Sequence, residues 1–347
     1  MTISVRPVHH ESENQEFLTI LQANLPSLPH ERRFKWLYRD NPDGPAWSWF
    51  AVQGTPNQVI GVTSVFPRAM WVGAELQICG QVGDFAVSPS HRSLGPALLL
   101  QRATFDPVDH GELAFCYDCP PHQAGMSTFR RLGIRPNCKV HRYALPLRVD
   151  AQLRKRLGAA SALPAAAGNL LLRLNRLSAR EPRARSVEVS VHRAAFGEEF
   201  SKLDAMVKRP NAIRGRRSAA HLIWRYREDP LQQYEVLTAR RRGDLIGFAV
   251  LRTNSEVVTI VDLFGTELDD AAFSLLTAIE KRFERSHQTV DVFLSEGNEL
   301  IPYFLKMRFR LRSEAAQVVA YAKPHSETLG FLQASPVWAF SQAEIGA

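Results

Sequence analysis

The sequence lacks any long apolar run. In 347 residues no stretch approaches the ~18 apolar residues that a membrane-spanning helix needs. The nearest, LPAAAGNLLLRL, is interrupted by Gly168, Asn169 and Arg173. The first residues, MTISVRPVHHESENQ, contain no basic region followed by an apolar segment, so no secretory leader is predicted. We therefore expect a cytoplasmic protein that is long enough for two domains.

Cysteine is scarce, with four in the chain: Cys79, Cys116, Cys119 and Cys138. This number is too small for a disulfide-stapled scaffold of such length. The CYDC segment has C-x-x-C spacing, but a zinc site needs a second pair of ligands and none lies at a suitable spacing. We interpret these cysteines as small hydrophobic side chains of a strand, and we predict no metal site.

Acidic residues are scarce in one segment. Residues 151–186 hold eight arginines and lysines but only one acid, Glu181, so this segment accounts for most of the net charge of +8. Abundant Ala and Leu, with Arg173, Arg176 and Arg180 at helical spacing, predict a helical linker. Two interpretations remain open: a solvated spacer whose arginines face water, or a weak contact with an anionic surface. No nucleic-acid-binding motif is present, so no specific nucleic acid is predicted.

One phrase is repeated in part: FKWLYRDNP at residues 34–42 and LIWRYREDP at residues 222–230 match at four of nine positions. The same order of patterns surrounds each copy: strand, two helices, three strands, helix, strand, helix and strand. This order favours a mixed α/β sheet with helices on its faces. We interpret the aromatic rings of the phrase as packing side chains and the phrase itself as a sign of duplication. The predicted units are a first domain (1–150), a basic linker (151–186), a second domain (187–325) and a C-terminal tail (326–347).

A candidate anion-binding loop follows the strand GDFAVSP. Residues 92–97, RSLGPA, fit the pattern Q/R-x-x-G-x-G/A between a strand and an amphipathic helix. A loop that enters a helix presents unpaired backbone N–H groups, and the helix dipole adds partial positive charge. Small residues at Gly95 and Ala97 allow close approach of a diphosphate, and Arg92 neutralises part of its charge. Pro96 is tolerated in the first helical turn, because its missing N–H would be unpaired there anyway.

The segment DFAVSPSHRSLGPALLLQRA, followed by a strand and by FRRLGI, resembles the acyl-CoA-binding core of the GNAT superfamily of N-acyltransferases. Both halves resemble this fold, so the resemblance implies an α/β protein of two tandem GNAT-like domains joined by a helical linker. It also implies acetyl-CoA as the co-substrate, with its pyrophosphate cradled by Arg92, Gly95 and Ala97. The cofactor-binding residues implied by the resemblance are Val87, Arg92, Ser93, Leu94, Gly95, Pro96 and Ala97.

The second half departs from this pattern. An alignment without gaps, with Asp84 on Asp262, puts Asp270 at the position of Arg92 and Phe273 at that of Gly95. Acids at the start of a helix stabilise it but repel a diphosphate. We therefore expect the second domain to have kept the fold and lost coenzyme binding.

The sequence indicates acid–base residues less clearly than it indicates the anion-binding loop. The family's frequent tyrosine acid falls at Phe129, which cannot donate a proton. We predict Asp84, in the strand that should border the acetyl group, and Tyr117, at the end of the next strand, as catalytic residues. Asp84 as a strand-end hydrogen bonder, and Tyr117 as part of a turn before two prolines, stay open alternatives. Asp118 and His122 are further candidates near the same cleft.

The resemblance implies an N-acetyltransferase in which a primary amine attacks the thioester directly, in a ternary complex. The acceptor is expected to be a small-molecule amine, with amino sugars the first class to consider, while other small amines and protein amines stay open. Two alternatives stay open: aminoacyl transfer from charged tRNA, and a non-catalytic tandem protein that binds or scaffolds.

Overall fold

The computed structural model describes most of the chain, and all structural statements below refer to these residues. The described ranges are 2–28, 30–54, 58–92, 94–120, 123–177, 186–334 and 336–345.

The first half follows the predicted order of elements, with one short extra helix. Phe17 and Leu21, one helical turn apart, bury the same face of its first helix against the sheet. Its elements are β1 (Ile3–Pro7), α1 (Asn14–Asn24), α2 (His30–Phe34), a π-helical turn (Lys35–Arg39), β2 (Trp47–Gln53), β3 (Gln58–Val72), β4 (Glu75–Val87), α3 (Leu94–Ala103), α4 (Asp106–Asp109), β5 (Phe115–Asp118), α5 (Gln123–Arg131) and β6 (Pro136–Pro146).

The second half repeats this order and adds a short strand before its second helix. Its elements are β7 (Val187–Val191), α8 (Glu198–Met206), β8 (Ala212–Gly215), α9 (Ala219–Tyr226), β9 (Glu235–Arg241), β10 (Asp244–Thr253), β11 (Val257–Gly265), α10 (Leu268–Phe283), β12 (Thr289–Ser295), α11 (Ile301–Lys306) and β13 (Arg310–Ala322). The tail contains α12 (Glu327–Gln333), β14 (Val337–Trp338) and α13 (Gln342–Ile345).

Both halves contribute to one continuous mixed sheet. Its order is β1-β2-β3-β4-β5-β13-β6-β12-β11-β10-β9-β7, and β8 joins through β3 while β14 pairs with β8. The predicted mixed α/β architecture is therefore confirmed.

The last strand of each half is exchanged. β13, from the second half, lies between β5 and β6 of the first half, and β6 lies between β13 and β12. All three of these contacts are antiparallel ladders. The hydrogen bonds at this junction satisfy the backbone groups of both halves, so the sheet is complete only when both halves are present.

The repeated phrase forms the symmetric contact between the halves. Trp36 and Trp224 stack with ring centroids 5.0 Å apart. Each indole N–H donates to the backbone carbonyl of the other tryptophan, at 2.8 Å in both directions. The tryptophans are packing residues, as the sequence indicated, but their partner is each other across the two halves.

A buried polar cluster lies beside these tryptophans. Arg68 on β3 contacts the imidazole of His221 on α9, and Asp43 Oδ2 lies 3.6 Å from His221 Nδ1. Burial, with Arg68 adding to it, lowers the pKa of His221 to about 3. Burial alone would raise the pKa of Asp43, yet the hydrogen bond with His221 and the charge of Arg68 hold it at about 2. The cluster ties α9 of the second half to β3 of the first.

The linker is helical, as predicted, in two segments: α6 (Asp150–Leu157) and α7 (Ala162–Leu177). One of its arginines does not face water. Arg176 is buried, and its Nε donates to Glu280 Oε1 at 3.1 Å, while its Nη1 donates to the carbonyls of Pro146 and Leu147. These contacts fix α7 against α10. Arg180 lies outside the described residues. Among the helices in the described ranges, none is both long and apolar enough to cross a membrane.

Candidate functional site

The first half contains a slot between two parallel strands. β4 and β5 pair at Gly80 with Cys116 and at Gln81 with Tyr117. Beyond these pairs the described residues of the two strands form no further ladder, so the strands part toward their carboxyl ends. Ligand sites in α/β sheets lie at such ends. We call this opening the first slot.

The loop of residues 88–93 leads from β4 to α3 at the edge of the first slot. Arg92 is exposed, and its Nε donates to the carbonyl of Val87 at 3.2 Å. Gly95 is exposed, and a Cβ added there would have no neighbouring atom within 4 Å. Pro96 is buried in the first turn of α3, and Ala97 is half-buried. Ser93 lies outside the described residues, as does the side chain of Leu94. The start of α3 is thus open above Gly95, with a guanidinium beside it.

Asp84 lies in a bulge of β4, where the register with β3 shifts. It has a φ of +48°, an unusual conformation for a residue with a side chain. Its buried carboxylate accepts hydrogen bonds from Arg33 Nη2 at 3.0 Å (Oδ1) and 2.9 Å (Oδ2), and a further one from the Tyr38 hydroxyl. Both carboxylate oxygens of Asp84 are thus already engaged by side chains of the first half.

A chain of hydrogen bonds connects Asp84 with the surface of the first half. The Ser64 hydroxyl donates to the Tyr38 hydroxyl at 3.4 Å, and the hydroxyls of Ser64 and Ser48 are 2.9 Å apart. The Ser48 hydroxyl in turn lies 2.9 Å from His10 Nε2. Burial, with the charge of Asp84 adding to it, raises the pKa of Tyr38 well above its usual value. Burial also lowers the pKa of His10 to about 4, so this imidazole is neutral at neutral pH. The network is uncharged outside the Arg33–Asp84 pair.

The side chain of Tyr117 is buried and is not in contact with solvent. Its hydroxyl donates to Gln81 Oε1 at 3.5 Å, and its ring lies 5.2 Å from that of Phe340. Burial raises its pKa well above the usual value. Phe129 on α5 is buried among apolar side chains. Phe129 has no ionisable proton, and the hydroxyl of Tyr117 is buried away from water, so neither side chain is placed to donate a proton to a reactant.

Asp118, at the end of β5, has a different environment. It is half-buried, and its Oδ1 accepts a hydrogen bond from the N–H of Cys119 at 2.6 Å. Burial raises the pKa of this carboxyl to about 7, although the hydrogen bond from Cys119 opposes the shift. A carboxyl with such a pKa exchanges protons near neutral pH. His122 lies outside the described residues.

Similarity to known proteins is confined to structure. No protein-family model matches the chain, and no curated protein matches its sequence. A probable N-acyltransferase from Enterococcus faecalis V583 superposes with a TM-score of 0.65, at 13% identity over 93% of this chain and 72% of its own. A GCN5-related N-acetyltransferase from Anabaena variabilis ATCC 29413 gives 0.66, at 13% identity over 92% of this chain and 72% of its own. A tandem GNAT protein of the clavulanic acid biosynthesis pathway gives 0.56, at 12% identity over 94% of this chain and all of its own.

The chain has the tandem GNAT fold. The match to a tandem protein over nearly the whole length confirms the tandem fold that the resemblance implied. At such low identity the likeness extends to the fold and not to individual site residues.

The second GNAT half has a shorter loop at the corresponding point. β11 ends at Gly265 and α10 begins at Leu268, so only residues 266–267 connect them. The alignment without gaps was therefore wrong at the helix. Counted from the helix start, Asp269 and Asp270 occupy the first turn, as Gly95 and Pro96 do in α3. Phe273 lies further along α10, and its ring packs against Tyr303.

Charged side chains crowd the start of α10. Arg241 forms ion pairs with Glu267 and with Asp270. The adjoining cleft has a volume of about 730 Å³ and carries acids on several sides. Its charged lining residues are Lys208, Arg209, Glu267, Asp269, Asp270 and Glu299. An added diphosphate would meet carboxylates here, whereas at α3 it would meet Arg92.

The C-terminal tail covers the opening between the strands of this half. The parallel pairing of β11 with β12 ends at Ile260 with Val292. α13 contacts both strands. Glu344, fully buried, accepts a hydrogen bond from Arg217 Nη2 at 3.0 Å, and Arg217 also donates to both oxygens of Asp262 at 2.9 Å. The position equivalent to the first slot is therefore filled by the protein's own chain.

Sequence reasoning missed several of these residues. Arg33 and Tyr38 hold Asp84, and the only signal for them was that Tyr38 belongs to the repeated phrase. Nothing in the sequence pointed to Glu344 as the partner of Arg217. Cys79, Cys116 and Cys119 are buried, and burial raises the pKa of each thiol. The described part of the chain contains no group of three or more His, Cys, Asp or Glu side chains that could hold a metal ion.

Proposed function

We propose that the first half binds acetyl-CoA and transfers its acetyl group to a primary amine. The observation that supports this most directly is the open start of α3. Gly95 has free space above it, and Arg92 keeps its terminal guanidinium nitrogens unengaged by described residues while its Nε contacts Val87. The first-turn N–H groups would bind the pyrophosphate, and Ala97 would allow the backbone to approach it. Ser93, Leu94 and Pro96 would complete the same loop.

In this proposal the amine must lose a proton before it attacks. Its nitrogen then forms a bond to the thioester carbonyl carbon, and the bond from that carbon to sulfur breaks. We assign proton acceptance to Asp118 and not to Asp84, because the Asp118 carboxyl has a pKa of about 7 whereas Asp84 is already paired with Arg33. Phe129 cannot protonate the departing thiolate, so solvent supplies that proton and takes up the second proton that the nitrogen loses as the amide forms.

We assign Asp84 and Tyr117 supporting roles. Asp84 holds the bulge of β4 by its contacts with Arg33 and Tyr38, and Tyr117 packs beneath the first slot. The acceptor we favour is a small-molecule primary amine in a ternary complex with acetyl-CoA, and amino sugars are the first class to screen.

Calorimetric titration with acetyl-CoA tests the proposal. We expect the wild-type protein to bind in the micromolar range, about −8 kcal/mol, and Arg92→Glu to abolish this binding by reversing the charge at the anion site. Arg241→Glu is the matched control, because Arg241 stands at the start of α10, and it should bind as the wild type does. Absence of binding by the wild type would contradict the proposal.

A second candidate is a non-catalytic protein that binds acetyl-CoA without using it. Phe129 and the paired, buried state of Asp84 favour it. Release of free thiol in the presence of a panel of amines discriminates the two. Binding without thiol release for any amine would favour the second candidate.

A further inference from the structure

The outward face of α7 exposes four leucines. Leu163, Leu170, Leu171 and Leu174 are 84%, 56%, 66% and 53% exposed. At 100° per residue, Leu170 and Leu174 each project within about 20° of Leu163, on either side of it, and Leu171 lies about 80° away. The opposite face, with Ala165 and Arg176, is buried against the protein. A contiguous apolar stripe of this kind on a surface indicates an interaction site.

The two linker helices also carry several exposed cations. Arg154, Lys155 and Arg156 on α6 are all exposed, and so is Arg173 on α7. The described residues 150–177 contain one acid, Asp150, and its carboxylate is already paired with Arg148. The surface of the linker is therefore both apolar and strongly cationic.

A basic pocket opens at the foot of the stripe. It has a volume of about 270 Å³ and is lined by Leu170, by four arginines (Arg148, Arg173, Arg176 and Arg285) and by one acid, Glu284, which lies 3.9 Å from Arg176 Nη2. Neither Arg173 nor Arg285 forms an ion pair with a described residue, and both are exposed. The pocket thus offers two guanidinium groups next to the leucines.

We propose that α6 and α7 dock on an anionic lipid bilayer. The leucines would enter the interfacial region, and the cations of α6, with Arg173 and Arg285, would contact the phosphates of the lipid headgroups. Charge argues against a second copy of the chain on the same face, since Arg154, Lys155 and Arg156 would then meet cations. A nucleic acid would leave the leucine stripe uncovered. The docking surface is independent of the proposed acetyl transfer.

Sedimentation of the full-length protein with vesicles tests this proposal. We expect binding to vesicles of phosphatidylcholine mixed with phosphatidylglycerol, weak binding to phosphatidylcholine alone, and weakening by salt. The triple variant L163Q/L170Q/L174Q should lose at least about tenfold in affinity, because its apolar stripe is removed. Each of R154Q, K155Q and R156Q should cost about fivefold, the equivalent of about 1 kcal/mol per charge. L311Q, at an exposed leucine on β13, is the matched control and should bind as the wild type does.

Three results would overturn the proposal. One is equal binding to neutral and anionic vesicles, which would leave the cations without a role. Another is a triple variant that binds vesicles as well as the wild type does. The third is sedimentation-velocity evidence that the wild type self-associates through this face and that the triple variant does not. Unchanged circular dichroism and thermal unfolding of the triple variant establish that it is folded.

Discussion

The two halves share a sheet and differ at the start of one helix. In the first half residues 88–93 form a long connection into α3, with an exposed arginine and open space above Gly95. In the second half only residues 266–267 lead into α10, and the first turn carries Asp269 and Asp270. The difference indicates that loop length and first-turn charge can change independently of the fold that carries them.

The halves also differ in the opening between the two parallel strands that separate from each other, β4 and β5 in the first half and β11 and β12 in the second. The first slot is flanked by Asp118, with its pKa near neutral, while in the second half α13 and Glu344 fill the equivalent position. In both halves a buried aspartate of the central strand pairs with an arginine: Asp84 with Arg33, and Asp262 with Arg217. The ion pair is therefore part of the shared architecture, and the open slot belongs to the first half alone.

The largest effect is expected at the end of β5. Asp118→Asn should lower the acetyl-transfer rate by about 10²- to 10⁴-fold, the range for loss of a general base. Because the pKa of Asp118 is raised to about 7, the wild-type rate should rise as the pH increases through 7, as the carboxylate forms. The variant should lack this rise. Rates measured from pH 5 to 9 check it, and an unchanged midpoint in the variant would remove Asp118 from the mechanism.

The stacked pair of Trp36 and Trp224 should contribute to stability as one unit. Trp36→Ala and Trp224→Ala should each lower the free energy of unfolding by about 3–5 kcal/mol. The double variant should lose less than the sum, because both substitutions remove the same stacked pair and its reciprocal hydrogen bonds. Denaturant unfolding measures these values. Trp49→Ala, which alters a different core cluster, is the control and should add to Trp36→Ala in full.

Substitution of Glu344 in the tail should lower stability without changing acetyl-CoA binding. Glu344→Gln should destabilise the protein by about 1–3 kcal/mol, because Arg217 loses a charged partner in a buried site. Acetyl-CoA affinity should not change, since Glu344 bonds to Arg217 and Ser341, whereas the proposed coenzyme site is the loop before α3 and the start of α3. Glu327→Gln, at an exposed glutamate of the same tail, should leave the melting temperature unchanged. A change in acetyl-CoA affinity for Glu344→Gln would contradict the assignment of binding to the first half.

The smallest effect is expected at Gly95. Gly95→Ala meets no neighbouring atom, so stability should stay constant or rise by up to about 1 kcal/mol. Acetyl-CoA binding should weaken by about tenfold, or about 1.4 kcal/mol, because the methyl group occupies the space of the pyrophosphate. Asp269→Ala, in the first turn of α10, should not affect acetyl-CoA binding. Calorimetry combined with thermal unfolding measures both quantities.

The order of elements and the duplication could be predicted from the sequence, because periodicity and the repeated phrase are local signals. The exchange of β6 and β13 could not. Each strand has the same alternating pattern whichever half it joins, and nothing in that pattern specifies the neighbouring strand. The pairing of Arg33 with Asp84 likewise joins residues far apart in the chain, and only the folded structure brings them together.

The ungapped alignment failed for a related reason. The sequence does not show that the connection before α10 is shorter, because acids are typical of a first helical turn and do not indicate at which residue the helix begins. The expectation about Tyr117 depended on its position at a strand end, which the structure has, but the direction of its side chain is set by Phe340 and the tail.

The exchanged strands also set an order for biosynthesis. Residues 1–146 leave the ribosome first, yet β5 must wait for β13, residues 310–322, before its outer edge is covered. During that interval the nascent first half exposes an unpaired strand edge, which is a site for intermolecular pairing. Completion of the sheet beside β5 is therefore a late event in synthesis, coupled to the appearance of a strand from the second half.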